Sequence, residues 1–185
     1  MTGTADALAY YANGWYAGGE SGTLKWESPP TRCVVDLPGR TWQRYLERAR
    51  RAASAFELRW DTAFAEVVEG CTAGRQRTWI DPPMKDLYRR LHLAGAAHSA
   101  EVWLDGTLVA GVVGVALGRW VSMETTFHTV SSSGHAAIAA MAELAARRDC
   151  VLLDVQQSHP FTRRLGGVEI PRDEYLELLH AALTP

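Results

Sequence analysis

HSAEVWLDGTLVAGVVGVALGRWVSMETTF, residues 98–127, is where the chain changes its period. Two apolar runs flank Asp105-Gly106, a pair that favours a tight hairpin turn. The run TLVAGVVGVALG is thinned by Gly111 and Gly114, which leaves room beside that strand for a ligand or a close backbone. RWVSMETTF then reads as a third strand, so the stretch predicts an antiparallel meander. Upstream the pattern is mostly helical. Residues 5–12 predict a short helix ending at Asn13-Gly14, and AGGESG (17–22) reads as a Gly-rich loop. Pro29-Pro30 predicts a turn before a strand near Cys33–Asp36. Over 41–53, Trp42, Tyr45, Leu46, Ala49 and Ala53 share one helical face, and Arg40, Arg44, Arg48 and Arg51 share the other. FELRW (56–60) predicts a short strand, with Asp61 capping a helix over about 62–70 that Gly70 stops. A further helix starts after Pro82-Pro83 and closes at Gly95.

Downstream, SSSG (131–134) is expected to cap an Ala-rich helix over about 135–148, followed by the strand VLLD. A short helix after Pro160 and a last one opened by Pro171, covering Asp173–Leu183, complete the order. Helices, antiparallel strands, a helix and a returning strand predict an α+β fold in which a meander feeds a βαβ-like crossover. No linker divides the chain. A small N-terminal subdomain over 1–60, leaning on a core of 61–185, is the expected organisation.

With 185 residues, 47% of them hydrophobic and 22% charged, the chain is long enough for one full core. No apolar run approaches the ~20 residues of a membrane span. MTGTADALAYYANGW has neither a basic n-region nor a clean apolar stretch, so no signal peptide is expected. The three cysteines, Cys33, Cys71 and Cys150, show no metal-ligand spacing and read as buried thiols of a reducing, cytoplasmic compartment. A net charge of −2 argues against a protein coated with positive charge for gripping long nucleic acids, and leaves room for a local basic patch. Phosphate-loop, dinucleotide, GxSxG and HExxH motifs are all missing.

Few residues stand out chemically. In VLLDVQQ (151–157), alternation puts Asp154 and Gln156 on one face at the end of a core strand. If the Asp154 carboxylate accepts a hydrogen bond from the Gln156 side-chain amide, the amide oxygen is left to hold an incoming amine. The same pair also fits a turn cap and a solvated amide. Glu124, within an otherwise apolar or hydroxyl-bearing strand, belongs either to an exposed edge or to a deliberately buried site. His98, His128 and His135 lack ligand spacing. The arginine stripe 40/44/48/51, extended by Arg75 and Arg77, is either a wet helix face or a contact for phosphates.

Several runs in order carry a resemblance along nearly the whole chain. KWESPPTRCVVDL, FAEVVEGCTAGRQRTWI, HLAGAAHSAEVWLDGTLVAGVVGVALG, LLDVQ and LGGVEIPRDEYLELL resemble the leucyl/phenylalanyl-tRNA–protein transferase family. That family's runs are WWSPDPR, EGCA…GTWI, LGHAHSVEVW, LVGGxYGVAxG, GESMFS, DCQ and LGxxEIPR. The resemblance implies an acetyltransferase-type (GNAT-like) core: a mixed, mostly antiparallel sheet flanked by helices. It implies transfer of Leu, Phe or Met from an aminoacyl-tRNA to a protein whose N-terminus is Arg or Lys, with no metal and no acetyl-CoA. By position it implies that Asp154 and Gln156 orient the attacking amine and that Glu124 shapes the centre. It further implies an aminoacyl-adenosine pocket of Trp26, Trp79, Val112, Val121, Met141 and Leu153. Arg40, Arg44, Arg48, Arg51, Arg75 and Arg77 would then meet phosphates of the tRNA 3′ end and acceptor stem. Aminolysis of such an ester needs positioning and charge stabilisation more than a strong base.

The chain departs from the family at several points. GESMFS is Met123-Glu-Thr-Thr-Phe-His128 here, and the aromatic of the GGxYG run is Val113. ASK is Ser133-Gly134-His135, and Ser28-Pro29-Pro30-Thr31-Arg32 stands for SPDPR. The family's tail after the EIPR helix is not part of this sequence. Alternatives follow from these changes: the same reaction onto a small-molecule or peptide amine, or binding of tRNA ends or N-termini without turnover. An acyl-CoA N-acyltransferase is a further alternative, although SSSGHAAI (131–138) is a poor match to a Q/R-x-x-G-x-G/A pyrophosphate loop.

Overall fold

The period change at residue 97 builds the centre of the molecule. In the computed structural model, which describes residues 3–20, 22–73 and 78–184, the meander is β5 (Ala97–Leu104), β6 (Thr107–Leu117) and β7 (Trp120–His128). Asp105 and Gly106 both take positive φ at the first turn, as a two-residue hairpin loop requires. The crossover helix α5 (Ser133–Arg147) returns the chain to β8 (Leu152–Gln156), which runs parallel to β7. That is the predicted βαβ unit.

The remaining elements complete the sheet. Upstream lie α1 (Thr4–Ala12), β1 (Tyr16–Glu20), β2 (Thr23–Glu27), β3 (Thr31–Asp36), α2 (Arg40–Ala53), β4 (Glu57–Trp60), α3 (Phe64–Gly70) and α4 (Pro82–Leu93). Downstream lie α6 (Pro160–Arg164), β9 (Val168–Pro171) and α7 (Arg172–Leu183). The seven-stranded sheet has the order β4-β5-β6-β7-β8-β3-β9, antiparallel except at β7–β8, while β1 and β2 pair separately. This is the expected mixed, mostly antiparallel sheet flanked by helices. Of the first sixty residues, α1 and the β1–β2 hairpin stand outside the large sheet; β3 and β4 belong to it.

Each face of the sheet has its own core. On one, Trp42, Leu46, Ala49 and Ala53 of α2 and the Ala-rich α5 cover the sheet. Alanines let α2 and α5 pack closely, and burial of such side chains is the main favourable term. On the other face, Tyr11, Phe64, Leu87, Tyr88, Leu91, Tyr175 and Leu179 from α1, α3, α4 and α7 form the second core. Among the described residues no helix is long and apolar enough to cross a membrane.

Several expectations are corrected. The glycines of 17–22 do not make a loop: Tyr16–Glu20 is a strand, and Gly19 is needed there because a Cβ would lie 2.2 Å from the carbonyl oxygen of Trp79. Asp61 does not cap α3. Its φ is +57°, and its carboxylate instead accepts from the Ser99 N–H at 2.8 Å and lies 2.7 Å from His98 Nδ1. Ser132, at the start of α5, makes no side-chain cap. Strands β2 and β9 were not predicted; their pairing to β1 and β3 depends on partners distant from any local apolar pattern.

Candidate active site

The two strands that run parallel do so only briefly. The β7–β8 pairing covers Trp120–Ser122 against Leu152–Asp154, after which β7 stays with β6 and β8 stays with β3. The splay opens a cleft of about 810 Å³. Its walls are Glu124, Thr125 and Thr126 from β7, Val155, Gln156 and Gln157 from the end of β8, and Tyr16, Glu27 and Trp79 opposite. Both strands carry an irregularity at this point. β7 has a bulge where Val113 faces Thr125 and Gly114 faces Met123, so Glu124 has no partner across the ladder. β8 steps from Asp154 to Gln156 while β3 steps from Val34 to Cys33. Bulges of this kind re-aim side chains and stop pairing.

Asp154 lies beneath the cleft and is fully buried. Its Oδ2 accepts from Arg32 Nε at 3.0 Å and from the Tyr175 hydroxyl at 2.7 Å; its Oδ1 accepts from the Gln156 main-chain N–H at 2.8 Å. Burial pushes the Asp154 carboxyl up, against the opposing pull of Arg32, Tyr175 and the Gln156 N–H. Burial pulls Arg32 down, but Asp154 and Tyr175 outweigh it and leave the guanidinium above its ordinary value. With the ion pair at 3.0 Å, the charged form of both partners is the one this geometry fits. Arg32 also lies between the rings of Tyr16 and Tyr175, at 4.6 and 4.7 Å, and donates to the Gly14 carbonyl.

The expected link between Asp154 and Gln156 exists, but through different atoms. The carboxylate holds the main chain of Gln156, which sits at φ +63°, rather than its side-chain amide. The Gln156 NH₂ instead reaches Ser122 Oγ at 3.5 Å, and that hydroxyl donates to Glu124 Oε1 at 2.6 Å. Glu124 is 6% exposed, and its Oε2 accepts from the hydroxyls of Tyr11 and Tyr88 at 3.3 and 3.2 Å. Burial raises the Glu124 carboxyl, the nearby Asp154 adds to that, and the three hydroxyls oppose it. One polar network therefore runs from Arg32 through Asp154, Gln156 and Ser122 to Glu124.

Other expected residues fall elsewhere. Trp79 lines the cleft, two residues before Asp81, which caps α4 through Met84 N–H and also accepts from the Gly22 N–H. Trp26 is set back from the cleft wall, stacked on Tyr10 at 4.5 Å and edge-on to Tyr11. Val112, Val121, Met141 and Leu153 lie in the closed core under α2 and α5, and none of the four lines the cleft. Arg40, Arg44, Arg48 and Arg51 are exposed on α2 as predicted. Arg44 and Arg48 share a hollow with Tyr45, His135 and Arg164, and a groove holding His128, His135 and Arg164 joins that hollow to Thr126 at the cleft. Arg75 and Arg77 lie outside the described residues. Among the described residues no group of His, Cys, Asp or Glu is placed to hold a metal ion.

Sequence reasoning did not single out Arg32, Tyr175, Ser122, Tyr11, Tyr88, Tyr16, Gln157 or Glu27. An arginine inside the strand TRCVVD was the available signal for the first, since a cation buried in a strand demands an acid. The tyrosines are spread over three distant segments and carry no spacing signal.

Comparison with known proteins places this geometry. The profile of the family described as Leucyl/phenylalanyl-tRNA protein transferase matches residues 34–180. A curated Leucyl/phenylalanyl-tRNA--protein transferase of Nitratidesulfovibrio vulgaris (strain DP4) is 41% identical over 172 residues, covering 91% of this chain and 72% of that protein. One of the same name from Azoarcus sp. (strain BH72) is 40% identical over 174 residues, covering 91% and 73%. In fold, the crystal structure of FemX superposes with a TM-score of 0.59 at 13% identity, covering 95% of this chain and 71% of FemX. With the profile match and this level of identity over most of its length, the chain belongs to the leucyl/phenylalanyl-tRNA–protein transferase family.

Proposed function

We propose that this protein is an aminoacyltransferase that takes an aminoacyl group from a charged tRNA and joins it to the α-amine of a protein N-terminus. The observation that carries the reading is Gln156, held at the mouth of the β7–β8 splay by its own N–H on the buried Asp154 carboxylate. With its NH₂ turned to Ser122, the Gln156 carbonyl oxygen is the group that accepts an N–H from the incoming amine. The amine nitrogen attacks the ester carbonyl carbon, the C–O bond to the terminal ribose breaks, and a proton from the amine passes to the departing ribose oxygen. The ester is already activated, so holding the amine in line supplies most of what is needed.

Asp154 and Arg32 act through Gln156 and do not touch substrate. Glu124 sets the electrostatics of the floor. Trp79 frames the terminal adenosine from the cleft wall, and Trp26 supports that wall through Tyr10 and Tyr11. The groove from Thr126 past His135 and Arg164 to Arg44 and Arg48 gives the tRNA backbone a basic path toward the cleft. Arg40 and Arg51, on the same exposed face, extend it.

The test incubates the protein with radiolabelled aminoacyl-tRNAs and peptides beginning with Arg or Lys. Transfer by the wild type and a drop of at least about a hundredfold in Gln156→Ala are expected. No transfer from any charged tRNA, or equal transfer by Gln156→Ala, overturns the reading. Free amines and acetyl-CoA in parallel reactions would reveal a small acceptor or a different donor.

A further inference from the structure

The cleft holds two carboxylates of opposite character. Glu124 is buried, and both of its oxygens are engaged by the hydroxyls of Ser122, Tyr11 and Tyr88. Glu27, at the end of β2, is exposed on the cleft wall. Its Oε2 accepts from the Tyr16 hydroxyl at 3.1 Å, and that hydroxyl accepts from Gln157 Nε2 at 2.9 Å. Glu27 is therefore tied, through two hydrogen bonds, to the residue next to Gln156. Its other oxygen, Oε1, lies near Gly18, where an added Cβ would be 3.9 Å away, and the Glu27 side chain as a whole is exposed to the cleft.

We propose that Glu27 is the specificity-determining residue for the acceptor, taking the cationic side chain of an N-terminal arginine or lysine. The inference rests on the aminoacyltransferase reading above and names the group that selects its acceptor. An amine held at Gln156 belongs to a residue whose side chain must lie along the same wall. A long cationic chain directed past Gln157 and Tyr16 ends beside Glu27. There a guanidinium finds a carboxylate oxygen already fixed in orientation by Tyr16, which lowers the ordering cost of a charge-assisted bond. Lys25, also on the cleft wall, has an interaction of its own.

The experiment separates this inference from the transfer reaction. Binding of short peptides beginning with Arg, or with its neutral isostere citrulline, is measured by calorimetry on wild type, Glu27→Gln and Glu27→Lys, with no tRNA present. The Arg peptide is expected to bind the wild type about tenfold more tightly than the citrulline peptide. Glu27→Gln should abolish that difference, and Glu27→Lys should bind an Asp-initiated peptide better than the Arg peptide. Equal binding of the Arg and citrulline peptides by the wild type overturns the inference, as does an Arg preference that survives Glu27→Gln. If binding behaves as expected but no aminoacyl group is transferred from any charged tRNA, the catalytic reading fails and the acceptor subsite stands. Where transfer is seen, Glu27→Gln should raise KM for Arg acceptors and leave kcat at saturation near wild type.

Discussion

Glu101 and Glu124 are both buried acids of the central sheet, yet their surroundings differ in kind. Glu101 accepts from the main-chain N–H groups of Thr62 and Ala63, each at 2.8 Å, from the Ser99 hydroxyl at 2.8 Å and from the Trp103 indole at 3.3 Å. The Thr62 hydroxyl adds a further short contact. Among the described residues, Glu124 accepts from three hydroxyls and from no main-chain donor. Main-chain N–H groups can only donate, so they fix Glu101 as an anchor between β5 and the turn into α3. Hydroxyls can donate or accept. The Glu124 network can therefore adapt when a substrate enters the splay. The carboxylate anchored by main-chain donors holds the fold; under the proposed function, the one met by hydroxyls at the edge of the cleft is left to serve the chemistry.

Removing the countercharge beside the site should have the largest effect. Arg32→Met leaves Asp154 buried without its cation and is expected to lower stability by about 3–5 kcal/mol in urea denaturation. The double replacement Arg32→Met/Asp154→Leu should recover much of that stability and still lose transfer, because Gln156 is no longer held. A loss below ~1 kcal/mol in the single variant would show that the pair is not buried as described.

Exchanging acid for amide at the two glutamates tests the comparison itself. Glu101→Gln sets an NH₂ group among donors and should cost about 2–3 kcal/mol in thermal denaturation, with kcat of the folded fraction unchanged. Glu124→Gln should cost less stability but lower kcat at least about tenfold. Parallel losses in both quantities for both variants would erase the distinction.

The pH dependence sharpens it further. Burial raises the Glu124 carboxyl above its unfolded value of about 4.3. Its contribution to stability is therefore complete below that value and is lost as pH rises through the higher folded value. Glu124→Gln does not titrate. The difference in Tm, variant minus wild type, should become more positive as pH increases from mildly acid to neutral. A flat difference would mean that Glu124 is ionised throughout.

The smallest effect on stability belongs to the exposed arginines. Arg44→Gln, Arg48→Gln and Arg164→Gln should each change stability by less than about 0.5 kcal/mol. Each should also make log affinity for tRNA less steep against log salt, by about one for every phosphate contact removed. Filter-binding titrations at several salt concentrations measure both affinity and slope.

Much of the scaffold was legible in the sequence because its signals are local. Asp105-Gly106 marked the hairpin, the alternation of arginine and apolar residues marked α2, and the run to Asp154 marked β8. The site was legible in part. Gln156, Glu124 and Trp79 do meet at one cleft, and Asp154 lies directly under it. The linking atoms were not legible, since the Asp154–Gln156 contact uses a main-chain N–H at a left-handed residue. Val112, Val121, Met141 and Leu153 read as pocket residues by position but pack in the core, because the bulge in β7 and the splay after Ser122 decide which side chains reach the opening.

By itself the sequence determined the order of elements, the apolar faces, the family and the short set of polar residues within strands. These depend on periods of a few residues and on motifs in register. Tertiary structure alone decided that Arg32, Tyr175, Tyr11 and Tyr88, from four separate segments, would surround two buried carboxylates, and that Glu27 would remain exposed beside them. The physical reason is that burial and hydrogen-bond partnership are properties of packed neighbours. Residues more than a hundred positions apart, such as Tyr11 and Glu124, acquire them only when the sheet and its helices close.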